Sequence, residues 1–195
     1  MRVLTRHTPT SGVARVVLAA GEAVEAPADS LLAASYGIAD TREGKWSSVF
    51  TAPARGGWVD LAPEVAGDVH PLELDGRTGW SVARDAVLAR PVTVRQDHPW
   101  PALRTLFGND SGFLRHYSGA GPLVLAARGP VDPLKVEPAE IITVNPLFLL
   151  AYPDGAEVRL RAVDPARPQS VRTGAGLALD VAGPATVLVQ TRRRP

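Results

Sequence analysis

The sequence predicts an all-β protein, and three observations carry that prediction. Eighteen glycines and eighteen prolines are spread along the chain, where they separate short apolar runs. Regular punctuation of short strands is the pattern of a sandwich or barrel. The runs are dominated by Val, Leu and Ile, and alternate with a period of two where a period can be judged. Finally, similar segments recur along the chain, the mark of an internally repeated architecture.

In chain order, the opening MRVLTRHTPTSGVAR carries arginines and no acid. It lacks the apolar centre of a secretory signal and is expected to be a frayed terminus leading into the first strand. Strands are then predicted at Val13–Leu18, Trp58–Leu61, Val69–Leu74, Trp80–Val82, Val87–Ala89, Leu123–Ala127, Ile141–Val144, Leu147–Ala151, Val158–Leu160 and Thr186–Gln190. The stretch Gly108–Gly129 reads as a hairpin, two apolar strands about a glycine turn. GAGLALDVAG, residues 174–183, reads as the approach to another.

Helix is predicted once, in HPWPALRTLFGND. Trp100, Leu103 and Phe107 fall on one helical face, two prolines suit the first turn, and Gly108 suits the position past the end. With Leu106, these apolar residues are expected in the core or in a contact between subunits. Trp100, Leu103, Leu106 and Phe107 are therefore the candidate oligomer interface.

The repeats align VVLAAGEAVEAPADSLLAASYG, LELDGRTGWSVARDAVLARPV and LKVEPAEIITVNPLFLLAYPDG. This matches Leu32, Leu88 and Leu150, spaced 56 and 62 apart; a second series matches Gly57, Gly121 and Gly183, spaced 64 and 62 apart. A period of about sixty residues predicts one domain of three similar units, approximately 12–50, 51–112 and 113–195. Units of that size share a core because none closes one alone.

Composition narrows the possibilities. The 195 residues suffice for a proper core, and 45% hydrophobic with 21% charged residues is ordinary for a globular domain. A net charge of +1 gives no electrostatic pull toward DNA or an anionic membrane. Cysteine is absent, so disulfides, thiol catalysis and thiolate metal ligation are excluded. No apolar run is long enough to cross a bilayer as a helix. A cytoplasmic location is expected.

The chemistry-bearing residues are sparse. Asp110, Ser111, His116 and Ser118 lie close in sequence, but in settings where Ser, Asp and Gly satisfy local backbone groups. The expectation there is a turn with a surface histidine, not a triad. The four histidines, His7, His70, His98 and His116, are far apart; Asp68 and His70 supply two ligands on one strand face at most. No phosphate-binding glycine loop is present. Asp29, Glu64, Asp68 and Glu140 sit beside turn residues, and no two are placed across a cleft. Neither catalytic residues nor a cofactor nor a metal is expected.

LAAGEAVEAPADSLLAAS, VFTAPARGGWVDLAPEVAGDVHPLELDG, GFLRHYSGAGPLVLAARG and the terminal VLVQTRR occur in this order. Together they resemble the family of the altered-inheritance-of-mitochondria protein 24, an uncharacterised family widespread in bacteria. The resemblance implies antiparallel units of double-stranded β-helix type, related to the trp RNA-binding attenuation protein. It implies a ring-like homo-oligomer of three, and it brings no catalytic residues. Many relatives carry a glycine-rich insert where this chain has DTREGKWSSVF, Asp40–Phe50. RNA binding, suggested by that fold and by the tail TRRRP, would want aromatics among basic residues, and aromatics are 6%. The expectation is a non-enzymatic, self-associating scaffold or binding module whose partner is an unnamed protein or membrane-associated complex. The alternatives are a small-molecule or lipid binder, a cupin-type metal enzyme and an RNA-binding protein.

Overall fold

The structure is a computed structural model, and it describes residues 1–44, 47–97 and 112–195. The described residues form eighteen strands. They are β1 (Arg2–Arg6), β2 (Val13–Leu18), β3 (Ala23–Pro27), β4 (Leu31–Ala34), β5 (Ala39–Glu43) and β6 (Ser47–Thr51). Next come β7 (Gly57–Leu61), β8 (Asp68–Asp75), β9 (Trp80–Ala83), β10 (Val87–Pro91), β11 (Val94–Asp97) and β12 (Leu114–Ala127). The last are β13 (Val131–Val136), β14 (Ile141–Val144), β15 (Leu149–Pro153), β16 (Glu157–Ala162), β17 (Leu177–Ala182) and β18 (Ala185–Gln190). The all-β class is as the sequence predicts. Among the described residues no helix is long and apolar enough to cross a membrane.

The chain forms two compact units. The first comprises Met1–Arg77, Ala86–Arg95 and Gly119–Pro130. Its strands β1-β2-β7-β4 make one antiparallel sheet, and β10-β3-β6-β5 run side by side in a second. Alternation explains the layering. Ala14, Val16 and Leu18 of β2 point inward with Val59 and Leu61 of β7. From the other sheet Val24 of β3 lies opposite Phe50 of β6, and both are fully buried in the same cluster. Burying apolar side chains of this size contributes roughly 1.5–3 kcal/mol each.

The second unit comprises Thr78–Asp85, Gln96–Ser118 and Val131–Pro195. Here β13-β18-β15-β9 continue into the first part of β12, and β14-β17-β16 make a three-stranded sheet. Its core gathers Phe113, Leu149, Tyr152, Leu179, Val181 and Val187. In the small sheet, Ile142, Val144, Val181, Leu179, Val158 and Leu160 turn toward that core, and Asp180, Arg159 and Arg161 turn away.

Four expectations are corrected. Arg2–Arg6 is not a frayed lead-in but a strand, paired along its whole length with β2. GAGLALDVAG contains β17, the central strand of the small sheet. The predicted hairpin around YSGAG is one 14-residue strand, β12. Its glycines do not turn the chain back. Gly119 and Gly121 adopt φ of 122° and 123°, where other residues are strained. A Cβ on Gly119 would also collide with the Thr93 carbonyl. The strand pairs with β9 through Tyr117 and with β8 from Ala120, so the glycines mark a change of partner. The matched leucines also differ in setting: Leu88 and Leu150 are buried, whereas Leu32 is 59% exposed on β4. The predicted helix, with Trp100, Leu103, Leu106 and Phe107, lies outside the described residues.

Candidate functional site

The second unit holds a buried charged cluster centred on His116. Along β12 the side chains alternate, and His116 takes an inward position beside Leu114 while Arg115 faces outward. Register places His116 opposite Ser81 of β9, and Ser81 opposite Tyr152 of β15, so the three form a row across three strands. His116 Nδ1 lies 3.2 Å from Asp97 Oδ2 at the end of β11. His116 Nε2 lies 3.0 and 2.9 Å from the two carboxylate oxygens of Asp154. Asp154 follows β15 directly, and its N–H donates to the Gly79 carbonyl at 2.9 Å.

Gly79 is the residue that lets the cluster close. A Cβ there would sit 2.5 Å from His116 Nε2 and would also overlap Asp154 Oδ2. Open space is what glycine supplies here.

The electrostatics follow from the partners. Burial opposes a charged imidazole, and His116 is only 4% exposed. Hydrogen bonding and charge from Asp154, followed by charge and hydrogen bonding from Asp97, outweigh burial, and the pKa is raised. Imidazolium donates from both nitrogens, one to each aspartate, whereas neutral imidazole donates from one alone. Beside it, burial pushes the Tyr152 phenol up to about 12; a hydrogen bond with Ser81 opposes that shift and the Asp154 charge adds to it. The arrangement directs each ring nitrogen of His116 at a carboxylate, Nδ1 at Asp97 and Nε2 at Asp154.

His116 was expected on the surface in a turn; it is buried in a strand, because β12 runs straight through that turn. Asp97 and Asp154 lie 19 and 38 residues away, and no local motif links them to it. The usable signal was the alternation itself, which assigns His116 to the same face as Leu114. Ser118 Oγ is buried and has no hydrogen-bond partner among the described residues; Asp110 and Ser111 lie outside them. Asp68 and His70 do share β8, where burial lowers the His70 pKa against the opposing Asp68 charge. Among the described residues no group of three His, Cys, Asp or Glu side chains is placed to hold a metal.

The first unit has the opposite device. Asp60 of β7, 3% exposed, accepts a bidentate pair from Arg15 Nε and Nη2 at 2.8 Å each, and a third bond from Arg6 Nη2 at 2.5 Å. The Arg15 guanidinium also lies 4.0 Å above the Trp58 ring. The Arg15 hydrogen bonds hold the Asp60 pKa below the usual range; burial opposes them, and the charges of Arg15 and Arg6 reinforce them.

Two surface features remain. Leu31, Leu32 and Tyr36 are exposed within six residues, Tyr36 at 89%. Arg55 Nη2 donates to the Tyr36 carbonyl at 2.6 Å, with its guanidinium 5.7 Å from the ring centre. In the second unit an open groove of about 370 Å³ is lined by Asn145, Leu147, Val163, Asp164, Arg167 and Leu177.

Comparison with known proteins gives one family and one fold. Residues 4–192 match the family described as "Mitochondrial biogenesis AIM24". No curated protein matches. Among solved structures, the chain is similar to the crystal structure of protein SPYM3_0169 from Streptococcus pyogenes, with a TM-score of 0.78 and 15% identity. The likeness covers 98% of this chain and 94% of that one. At that identity the likeness speaks for the fold.

Proposed function

The chain belongs to the Mitochondrial biogenesis AIM24 family, and from that premise we propose that it is a non-catalytic homo-oligomeric β module, trimeric as the resemblance implies, whose assembled surface engages a protein or membrane-associated complex. The observation that carries this reading is the exposed apolar segment Leu31–Tyr36. Leu4, Val65, Val92, Ile141 and Val163 are also exposed, but singly along the chain, whereas two leucines and a tyrosine lie within six residues here, and such a cluster supports a contact surface. The His116 cluster supports the non-catalytic part, since both ring nitrogens are taken up by Asp97 and Asp154.

Light scattering on the purified chain tests the reading. A mass of 20.6 kDa across micromolar concentrations would remove it. Leu32→Glu combined with Tyr36→Glu is expected to dissociate the assembly while leaving the melting temperature of the protomer nearly unchanged, because both side chains are already solvated.

A second reading, a small-molecule binder, has the groove at Leu147, Val163 and Leu177 behind it. A ligand that binds only the folded state must raise its stability. A metabolite screen that produces no thermal shift would discard this reading.

A further inference from the structure

The open strand edges of the molecule are not equivalent, and their differences single out one. An edge strand exposes unpaired backbone groups and is a template for another strand unless something blunts it. Among the described residues most edges carry such a device. In β1, antiparallel self-pairing about Leu4 would set Arg2 against Arg6 of a second copy. β16 bears Arg159 and Arg161, which a two-fold axis at either Arg159 or Leu160 would set against arginine. Pro71 removes a donor from β8 and Pro133 removes one from β13. β4, β11 and β14 have four residues each, too short for an extended ladder.

β5 has none of these devices. Among the described residues it ends its sheet and pairs with β6 alone, and all five of its residues are exposed. Its sequence, Ala39-Asp40-Thr41-Arg42-Glu43, is charge-complementary to its own reverse. With a two-fold axis at Thr41, Asp40 of one copy lies directly opposite Arg42 of the other. The reciprocal pair forms on the other side of the axis, and the two threonines face each other. Opposite charges and threonine pairs are the favourable directly opposed partners of antiparallel strands. The two-fold makes one strand supply both halves of the contact.

We propose that β5 is a self-recognition edge, at which two copies of this chain join their sheets antiparallel about Thr41 with Asp40–Arg42 pairs across the seam. This rests on the self-assembly reading above and adds a specific contact to it. A two-fold seam fixes the parity of the assembly: two single chains make a dimer, and two three-membered rings make a hexamer.

The test is light scattering on the full chain and on four variants, with circular dichroism as the check on folding. The wild type is expected at an even multiple of 20.6 kDa, as two of the trimers proposed above joined across β5. Asp40→Arg sets arginine against Arg42, and Arg42→Asp sets aspartate against Asp40; each is expected to halve the mass. The double variant Asp40→Arg/Arg42→Asp restores complementarity and is expected to restore the mass. Thr41→Pro places a proline ring at the axis, which disfavours strand pairing there, and is expected to halve it too. A wild type at 20.6 kDa would overturn both this contact and self-assembly. An odd multiple, or an even one that the single variants leave unchanged, would overturn the β5 contact and leave self-assembly standing.

Discussion

Among the described residues the two units each bury one ionic centre, and the centres are inverted copies of one another in charge. In the first, a single carboxylate, Asp60, is held by two guanidiniums, Arg15 and Arg6. In the second, a single imidazole, His116, is held by two carboxylates, Asp97 and Asp154. The inversion matters because the central groups titrate in different ranges. Asp60 keeps its charge at any pH near neutrality, and its clamp is a permanent tie between β1, β2 and β7. The charge of His116 depends on pH, so its clamp is conditional. One fold thus contains a fixed electrostatic joint and an adjustable one.

The largest expected effect breaks the adjustable joint by volume rather than charge. Gly79→Val places branched carbon where His116 Nε2 and Asp154 stand. Neither can retreat without losing the other or entering the row of Ser81 and Tyr152. Overpacking a buried site by this much is expected to destabilise by about 3 kcal/mol. Urea denaturation would measure it, and a loss below 1 kcal/mol would show that the cluster is looser than its distances imply.

Next in size is the fixed joint. Asp60→Ala leaves Arg15 and Arg6 facing each other without their anion, an expected loss of about 2 kcal/mol at pH 7. The folded pKa of Asp60 is lowered, so its stabilisation is present above the unfolded value of about 3.9 and fades as pH falls through the folded one. The melting-temperature gap between wild type and variant should therefore be flat from pH 5 to 8 and close only in acid.

His116→Gln should give a smaller gap with the opposite trend. The folded pKa is raised, so the contribution is complete below the unfolded value of about 6.5 and is lost as pH rises through the folded one. A loss of about 1–2 kcal/mol at pH 5.5 is expected to shrink by pH 9. Parallel gaps for the two variants across that range would refute the contrast between the joints.

These centres also show how far the sequence could be read. Strand positions were legible where apolar residues alternate: β2 and β14 fall on the predicted residues, and β7, β8 and β9 within one residue at each end. Two strands on the surface were not. β1 and β5 are built of Arg, Asp, Thr and Glu with few apolar residues, and backbone pairing rather than side-chain burial makes them strands. β12 was misread because its glycines carry two meanings in sequence; only φ and the proximity of Thr93 distinguish a change of partner from a turn. Neither ionic centre was visible. Asp60 meets Arg15 across 45 residues and His116 meets Asp154 across 38, and such pairs are created by strand register, not by spacing.

The smallest expected effect tests whether burial, rather than charge pairing as such, gives the two joints their strength. Asp180 of β17 accepts from Arg161 Nε at 2.8 Å and from Thr143 Oγ1 at 2.7 Å, so its bonding geometry rivals that of Asp60. Hydrogen bonds from Arg161, then from Thr143, likewise hold its pKa low. The difference is water: the pair lies on the outward face of its sheet, where solvent screens the attraction and the long side chain gives up freedom to hold one pose. Arg161→Ala is therefore expected to leave the melting temperature unchanged within error, at pH 7 and at pH 5 alike. A drop comparable to that of Asp60→Ala would mean that geometry alone sets the strength of an ion pair in this fold, and the contrast drawn from burial would fail with it.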